Sequence, residues 1–87
     1  MNSMNLHELA TRLRHAVAPF ATAQELEDLD DDLFVGEEGE ALFGGIYIAA
    51  DRRVSLDASL LADLHAARSL LSQKDQARLD SLSRAAA

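Results

Sequence analysis

The sequence predicts an α+β domain: a small three-stranded antiparallel meander with helices before and after it, in the order α-α-β-β-β-α-α. Three observations carry that prediction. Apolar residues recur at helical spacing near both ends of the chain, two short motifs read as helix caps, and the middle carries short β-branched and aromatic runs separated by breaks. At 87 residues the chain is a single domain, 1–87, with 83–87 ("SRAAA") expected to fray. A domain of this size buries only about 60–65% of its extended surface, so its core is thin and association is a natural way to bury more.

The first helix rests on Leu6, Leu9, Leu13, Ala16 and Val17, which share one face, while His7, Glu8, Thr11, Arg12, Arg14 and His15 fall on the others. Asn5 or Ser3 can cap its start, and Pro19 stops it near Ala18. "TAQE" (22–25) then reads as a capping box, with the Thr22 hydroxyl and the Glu25 carboxylate each satisfying a free backbone amide. Leu26, Leu29 and Leu33 continue a narrow stripe. The aspartates that follow would collect at the negative end of the helix dipole, a cost of about 0.3–1 kcal/mol each when exposed. The second helix is therefore expected to stop around residues 29–32.

The strands are assigned to "LFV" (33–35), "ALFGGIYIA" (41–49) and "RRVSL" (52–56), with "GEEGE" and "AD" as breaks. Leu42, Ile46 and Ile48 form one face of the long strand, and Phe43 and Tyr47 the other. Gly44 and Gly45 mark a bulge or a place where another element comes close to the backbone. Asp57 caps a third helix carrying Leu60, Leu61, Leu64, Ala67 and Leu71. "SQKD" (72–75) opens a last helix with Leu79 and Leu82. No internal repeat stands out.

Charge is distributed unevenly. The net charge is −7, yet residues 1–24 carry two arginines against one glutamate, and residues 41–87 carry six basic and five acidic groups. The whole negative excess lies in "ELEDLDDDLFVGEEGE" (25–40), with nine carboxylates in sixteen positions and no basic residue. Like charges this dense repel one another and strain the compact state, whereas a surface serving only solubility intersperses the signs. Three readings compete: a solvated acidic loop, a calcium site, and a docking face for a basic partner. Asp28, Asp30 and Asp32 match the first ligand positions of an EF-hand loop, but Leu33 replaces the turn glycine and Gly39 stands where the closing glutamate belongs. If the segment coils, its carboxylates fall about 2.7 Å apart along the axis, the range of a duplex phosphate backbone; if extended, about 6 Å.

Catalytic and cofactor motifs are absent. The chain has no cysteine, which removes disulfides, thiol nucleophiles and sulfur-ligated zinc. His7, His15 and His65 have no metal spacing, Asp63 and His65 diverge by about 200° on a helix, and no G-x-S-x-G or phosphate-loop pattern occurs. Arg68, Lys74, Arg78 and Arg84 alternate with Asp57, Asp63, Asp75 and Asp80, so no basic face for nucleic acid emerges. No apolar run approaches a membrane span and the N-terminus lacks a secretory pattern, which places the expected site of action in the cytoplasm. The abundance of alanine, leucine and arginine suits a GC-rich bacterial or phage genome.

These readings converge on a non-enzymatic protein-binding protein without cofactor or metal. It is expected to act as an inhibitor or immunity-type protein docking on a basic, nucleic-acid-handling partner. The expected contact residues are Glu25, Glu27, Asp28, Asp30, Asp31, Asp32, Glu37, Glu38 and Glu40, with Phe34, Phe43 and Tyr47 as aromatic anchors. The alternatives are an accessory or chaperone-like subunit that forms a homodimer, and a divalent-cation-responsive module.

Overall fold

A computed structural model describes residues 5–86, with side chains through residue 82. It is all-helical among those residues: α1 (Leu6–Val17), α2 (Ala23–Phe34), α3 (Glu38–Asp51), α4 (Ala58–Ala66) and α5 (Gln73–Ala86), with short 3-10 turns at Ala18–Phe20 and Arg68–Leu70. The expected meander is therefore corrected. Residues 33–35 end α2 and begin its turn, 41–49 lie inside α3, and 52–56 form a connection without strand pairing. Ser3, the alternative cap, and the side chains of the expected tail at 83–87 lie outside the described residues.

The misassigned segment is helical for physical reasons that a nine-residue apolar run conceals. Read from Glu38, the element is fourteen residues long, beyond the usual length of a strand, and Glu38 and Glu40 sit in its first turn, where the helix dipole favours negative charge. α3 is central: α1, α2 and α5 all pack against it. A helix covered on several sides loses the amphipathic signature, because polar residues have few faces left to occupy. Gly44 and Gly45 allow that covering. A Cβ at Gly45 would lie 2.6 Å from Leu13 Cδ2, and one at Gly44 would lie 3.0 Å from Leu29 Cδ2. The close-approach reading of this pair holds, with helices as the approaching elements and no bulge.

α2 also runs further than expected, through Phe34. Its end is closed by Gly36 at φ 78°, with the Gly36 N–H donating to Leu33 O (3.3 Å) and the Glu37 N–H to Asp32 O (2.8 Å). This is a Schellman closure, which satisfies carbonyls that would otherwise face the aspartates unpaired. Burial of Leu29 and partial burial of Leu33 against the core outweigh the small dipole cost.

The remaining elements begin as their residues dictate. Asn5 Oδ1 accepts from the Glu8 N–H (3.1 Å), and Asp57 Oδ1 accepts from the Leu60 N–H (2.9 Å). Both halves of the Thr22–Glu25 capping box form, at 3.1 and 2.8 Å. α1 stops at Val17, and Ala18 and Pro19 open the 3-10 turn. Leu9, Leu13 and Val17 from α1, Leu42 and Ile46 from α3, Leu60 and Leu64 from α4, and Leu79 and Leu82 from α5 make one core.

The structure also contains a local repeat that the sequence hides. The 3-10 turns at 18–20 and 68–70 are followed by extended residues Ala21 (φ −91°, ψ 152°) and Leu71 (φ −95°, ψ 154°). Next come capping hydroxyls Thr22 and Ser72, each accepting from the N–H three residues on, of Glu25 and Asp75. Fifty residues therefore separate equivalent positions in α2 and α5, and both helices pack on α3. Leu29 and Leu79 are the matching buried leucines. The resemblance stops at the flanking helices, since α1 packs mainly on α3 while α4 packs on α1 and α5.

Candidate functional site

Helical geometry decides what becomes of the acidic segment. Along α2, Glu25, Asp28 and Asp32 recur at helical spacing and share a face, Glu27 and Asp31 lie about 100° away from it, and Asp30 points elsewhere again. Asp30 meets Arg14 of α1 in a two-pronged pair, Nε to Oδ1 at 2.9 Å and Nη2 to Oδ2 at 3.0 Å. The arginine's hydrogen bonds hold the Asp30 carboxyl below its ordinary range. Glu25 is engaged in the same way by Arg52 from the end of α3, at 2.6 and 2.9 Å, and its pKa falls to about 2. Arg52 also donates to the Phe20 carbonyl (3.3 Å), tying the 3-10 turn to the end of α3. Glu38 lies 3.9 Å from His7, an ion pair only when the imidazole is protonated. The segment coils, as a phosphate-like charge density requires, but its charges do not form one continuous stripe.

What remains is a groove of about 220 Å³ between α2 and α3, lined by Glu25, Asp28, Leu29, Asp32, Glu40, Phe43, Gly44, Tyr47 and Ile48. Leu29, Gly44 and Ile48 are its apolar lining, and the missing side chain at Gly44 brings α3 close to Leu29. Phe43 and Tyr47, one helical turn apart, are 44% and 41% exposed. That is unusual exposure for two large rings side by side on a helix that is otherwise largely buried. The sequence puts Phe43 and Tyr47 on one face of an expected strand. They share a face of a helix instead, because a spacing of four residues keeps side chains together in both geometries.

The groove's rim is relieved only in part: Arg52 pairs with Glu25, and Arg78 stands against the Phe43 and Tyr47 rings from the α5 side. Among the described residues no lysine or arginine lines the groove, and only Glu25 of its carboxylates is paired with a cation. Asp28 accepts from the Gln24 side-chain amide (3.0 Å), a neutral partner. Burial pushes the Asp32 carboxyl above its ordinary range, and repulsion from Glu37, Glu40, Asp28 and Asp31 adds to the shift. The Schellman closure contributes to this crowding. The turn positions that often carry an apolar contact are here Asp32 and Glu37, two like charges.

Of the expected contact residues, Glu25, Asp28, Asp32, Glu40, Phe43 and Tyr47 are brought together in the groove. Asp30 is turned to α1, Glu38 to His7, and Glu27, Asp31 and Glu37 are exposed outside the lining. Phe34 is 91% exposed at the end of α2, beside Val35 and also outside the lining. Sequence reasoning missed Leu29, Gly44 and Ile48. A helix over 38–51 puts Gly44 and Ile48 one turn apart on one face, which Leu29 meets from α2.

A calcium loop of the EF-hand type does not form, because 28–34 are helical, and no group of three or more His, Asp or Glu side chains could hold a metal ion among the described residues. No helix among those residues is long and apolar enough to cross a membrane. Neither a protein-family model, a curated protein nor a solved structure matches the chain.

Proposed function

We propose that this protein acts by binding a basic protein partner at the α2–α3 groove, and that it works as an inhibitor or immunity-type protein without catalysis of its own. The observation that carries the reading is the combination at one place of exposed aromatic surface and unneutralised carboxylates. Phe43 and Tyr47 offer desolvation area, and Asp28, Asp32 and Glu40 offer attraction. Repulsion among these charges, which adds to burial in raising the Asp32 carboxyl, costs the free protein stability, and a cationic partner would offset that repulsion on binding. A partner that normally receives phosphates is the kind such a surface suits, because its positive cleft presents the complementary charge.

The test uses a displayed library of random twelve-residue peptides selected against the immobilised protein at low salt. Docking predicts enrichment of peptides carrying lysine or arginine, elution by added salt, and loss of binding in the triple variant Asp28→Asn, Asp32→Asn, Glu40→Gln. Selected peptides without basic residues, or binding indifferent to both salt and the triple variant, would overturn the reading.

A further inference from the structure

The repeat places opposite charges at equivalent points on either side of α3. Asp28 and Arg78 are the sixth residues of α2 and α5, two helices with matching turns and capping hydroxyls that pack on the same central helix. On the α5 side the arrangement is complete. Asp75, only 5% exposed, takes Arg78 Nη1 at 3.2 Å, and the guanidinium carbon stands 5.8 Å from the Phe43 ring centre and 5.3 Å from that of Tyr47. Both distances are within the about 6 Å at which a cation is attracted by a ring face. On the α2 side the same two residues wall the groove and carboxylates rim it, but among the described residues no lysine or arginine lines it.

We propose that the groove receives an arginine side chain of the basic partner, its guanidinium against Phe43 and Tyr47 and its N–H groups toward Asp28, Asp32 and Glu40. The partner thereby supplies on the α2 side what Arg78 supplies on the α5 side. This rests on the docking reading above and narrows it to one side-chain chemistry. Arginine suits the site better than lysine for two reasons: a planar guanidinium stacks on rings while its fork reaches carboxylates, and it sheds water more easily than an ammonium. Size agrees. At about 220 Å³ the groove is smaller than the about 300–1,000 Å³ of sites that take drug-sized molecules or cofactors, and is in scale with a single inserted side chain.

Two experiments test this together. Asp28→Arg installs at the α2 position the residue its α5 counterpart already has, while Glu27→Arg makes the same charge change outside the groove lining. Asp28→Arg is expected to fill the groove from within and to raise Tm above both the parent protein and Glu27→Arg. The probe is the tripeptide amide Gly-Arg-Gly, with its lysine and citrulline analogues, followed through the amide NMR signals of Leu29, Gly44 and Tyr47. The arginine peptide should saturate these shifts at concentrations at least about threefold below the lysine peptide, the margin expected of added ring contact. Citrulline should produce none, and Asp28→Arg should abolish the response that Glu27→Arg retains. The arginine assignment is overturned if lysine equals arginine, if shifts spread evenly to Glu27, Asp31 and Glu37, or if the two arginine variants behave alike. Should that happen while library peptides are still basic and salt-sensitive, docking stands and only the arginine assignment falls. Loss of salt sensitivity in the library selection removes docking itself.

Discussion

Leu13 of α1 closes over the backbone of Gly45 so tightly that a single methyl group at position 45 would overlap it, with Cβ 2.7 Å from Leu13 Cγ and 2.6 Å from Cδ2. Leu13 is completely buried. Gly45→Ala is therefore expected to destabilise the fold by about 1–3 kcal/mol, the usual range for overpacking a core. Gly39, in the first turn of the same helix, has nothing within 4 Å of its notional Cβ. Gly39→Ala should stabilise by about 0.4–1 kcal/mol, through the lower entropy of the unfolded chain. Thermal unfolding of the two variants checks both signs, at about 4–8 °C per kcal/mol for a domain this size.

Arg53 adopts φ 52°, the left-handed region, just after α3. The Val54 N–H donates to Ala49 O at 2.9 Å, so Arg53 stands where such a closure favours glycine. Arg53→Gly should relieve strain of about 1–2 kcal/mol and keep roughly half of that after the greater flexibility of an unfolded glycine is subtracted. A higher midpoint in urea with an unchanged slope is the expected result.

The pH dependence of stability follows from carboxyls shifted in opposite directions, Glu25 and Asp30 downward beside their arginines and Asp32 upward. Glu25, lowered by Arg52 from 4.5 to about 2, contributes stability that is complete above its unfolded value and lost as pH falls through that interval. Asp32 is raised, so the folded state holds its proton more tightly, and stability declines as pH rises through the folded Asp32 value. Stability should peak in mildly acidic solution. Glu25→Gln keeps an acceptor for the Thr22 N–H and removes the charge, so it should make the acid limb shallower and leave the part due to Asp30, whereas Asp32→Asn should flatten the limb toward neutrality. Urea midpoints measured between pH 2 and 7 resolve the two limbs.

Helices bounded by side-chain caps were legible from residues alone. Asn5, Thr22, Asp57 and Ser72 each accept the amide hydrogen bond that their position implies. α3 was not, because its start at Glu38 has no side-chain cap and its apolar residues face three neighbours, which removes the one-sided pattern by which a helix is recognised. The repeat was hidden for a related reason. Shape is kept by Thr22 and Ser72, Glu25 and Asp75, and Leu29 and Leu79, while Asp28 and Arg78 reverse sign between them. The acidic segment was legible as charge, but only helical phase separates Asp30, turned to Arg14, from Asp28 and Asp32 at the groove.

The measurement closest to the central claim is the titration of the Asp32 carboxyl, followed through its side-chain carbon signal by NMR. A partly buried Asp32 crowded by acidic neighbours predicts a midpoint above that of an ordinary aspartate, moving down when Glu37→Gln and Glu40→Gln remove two of those neighbours. A midpoint at or below the ordinary value, unmoved by those substitutions, would mean that the groove carries no unrelieved charge and would contradict the account.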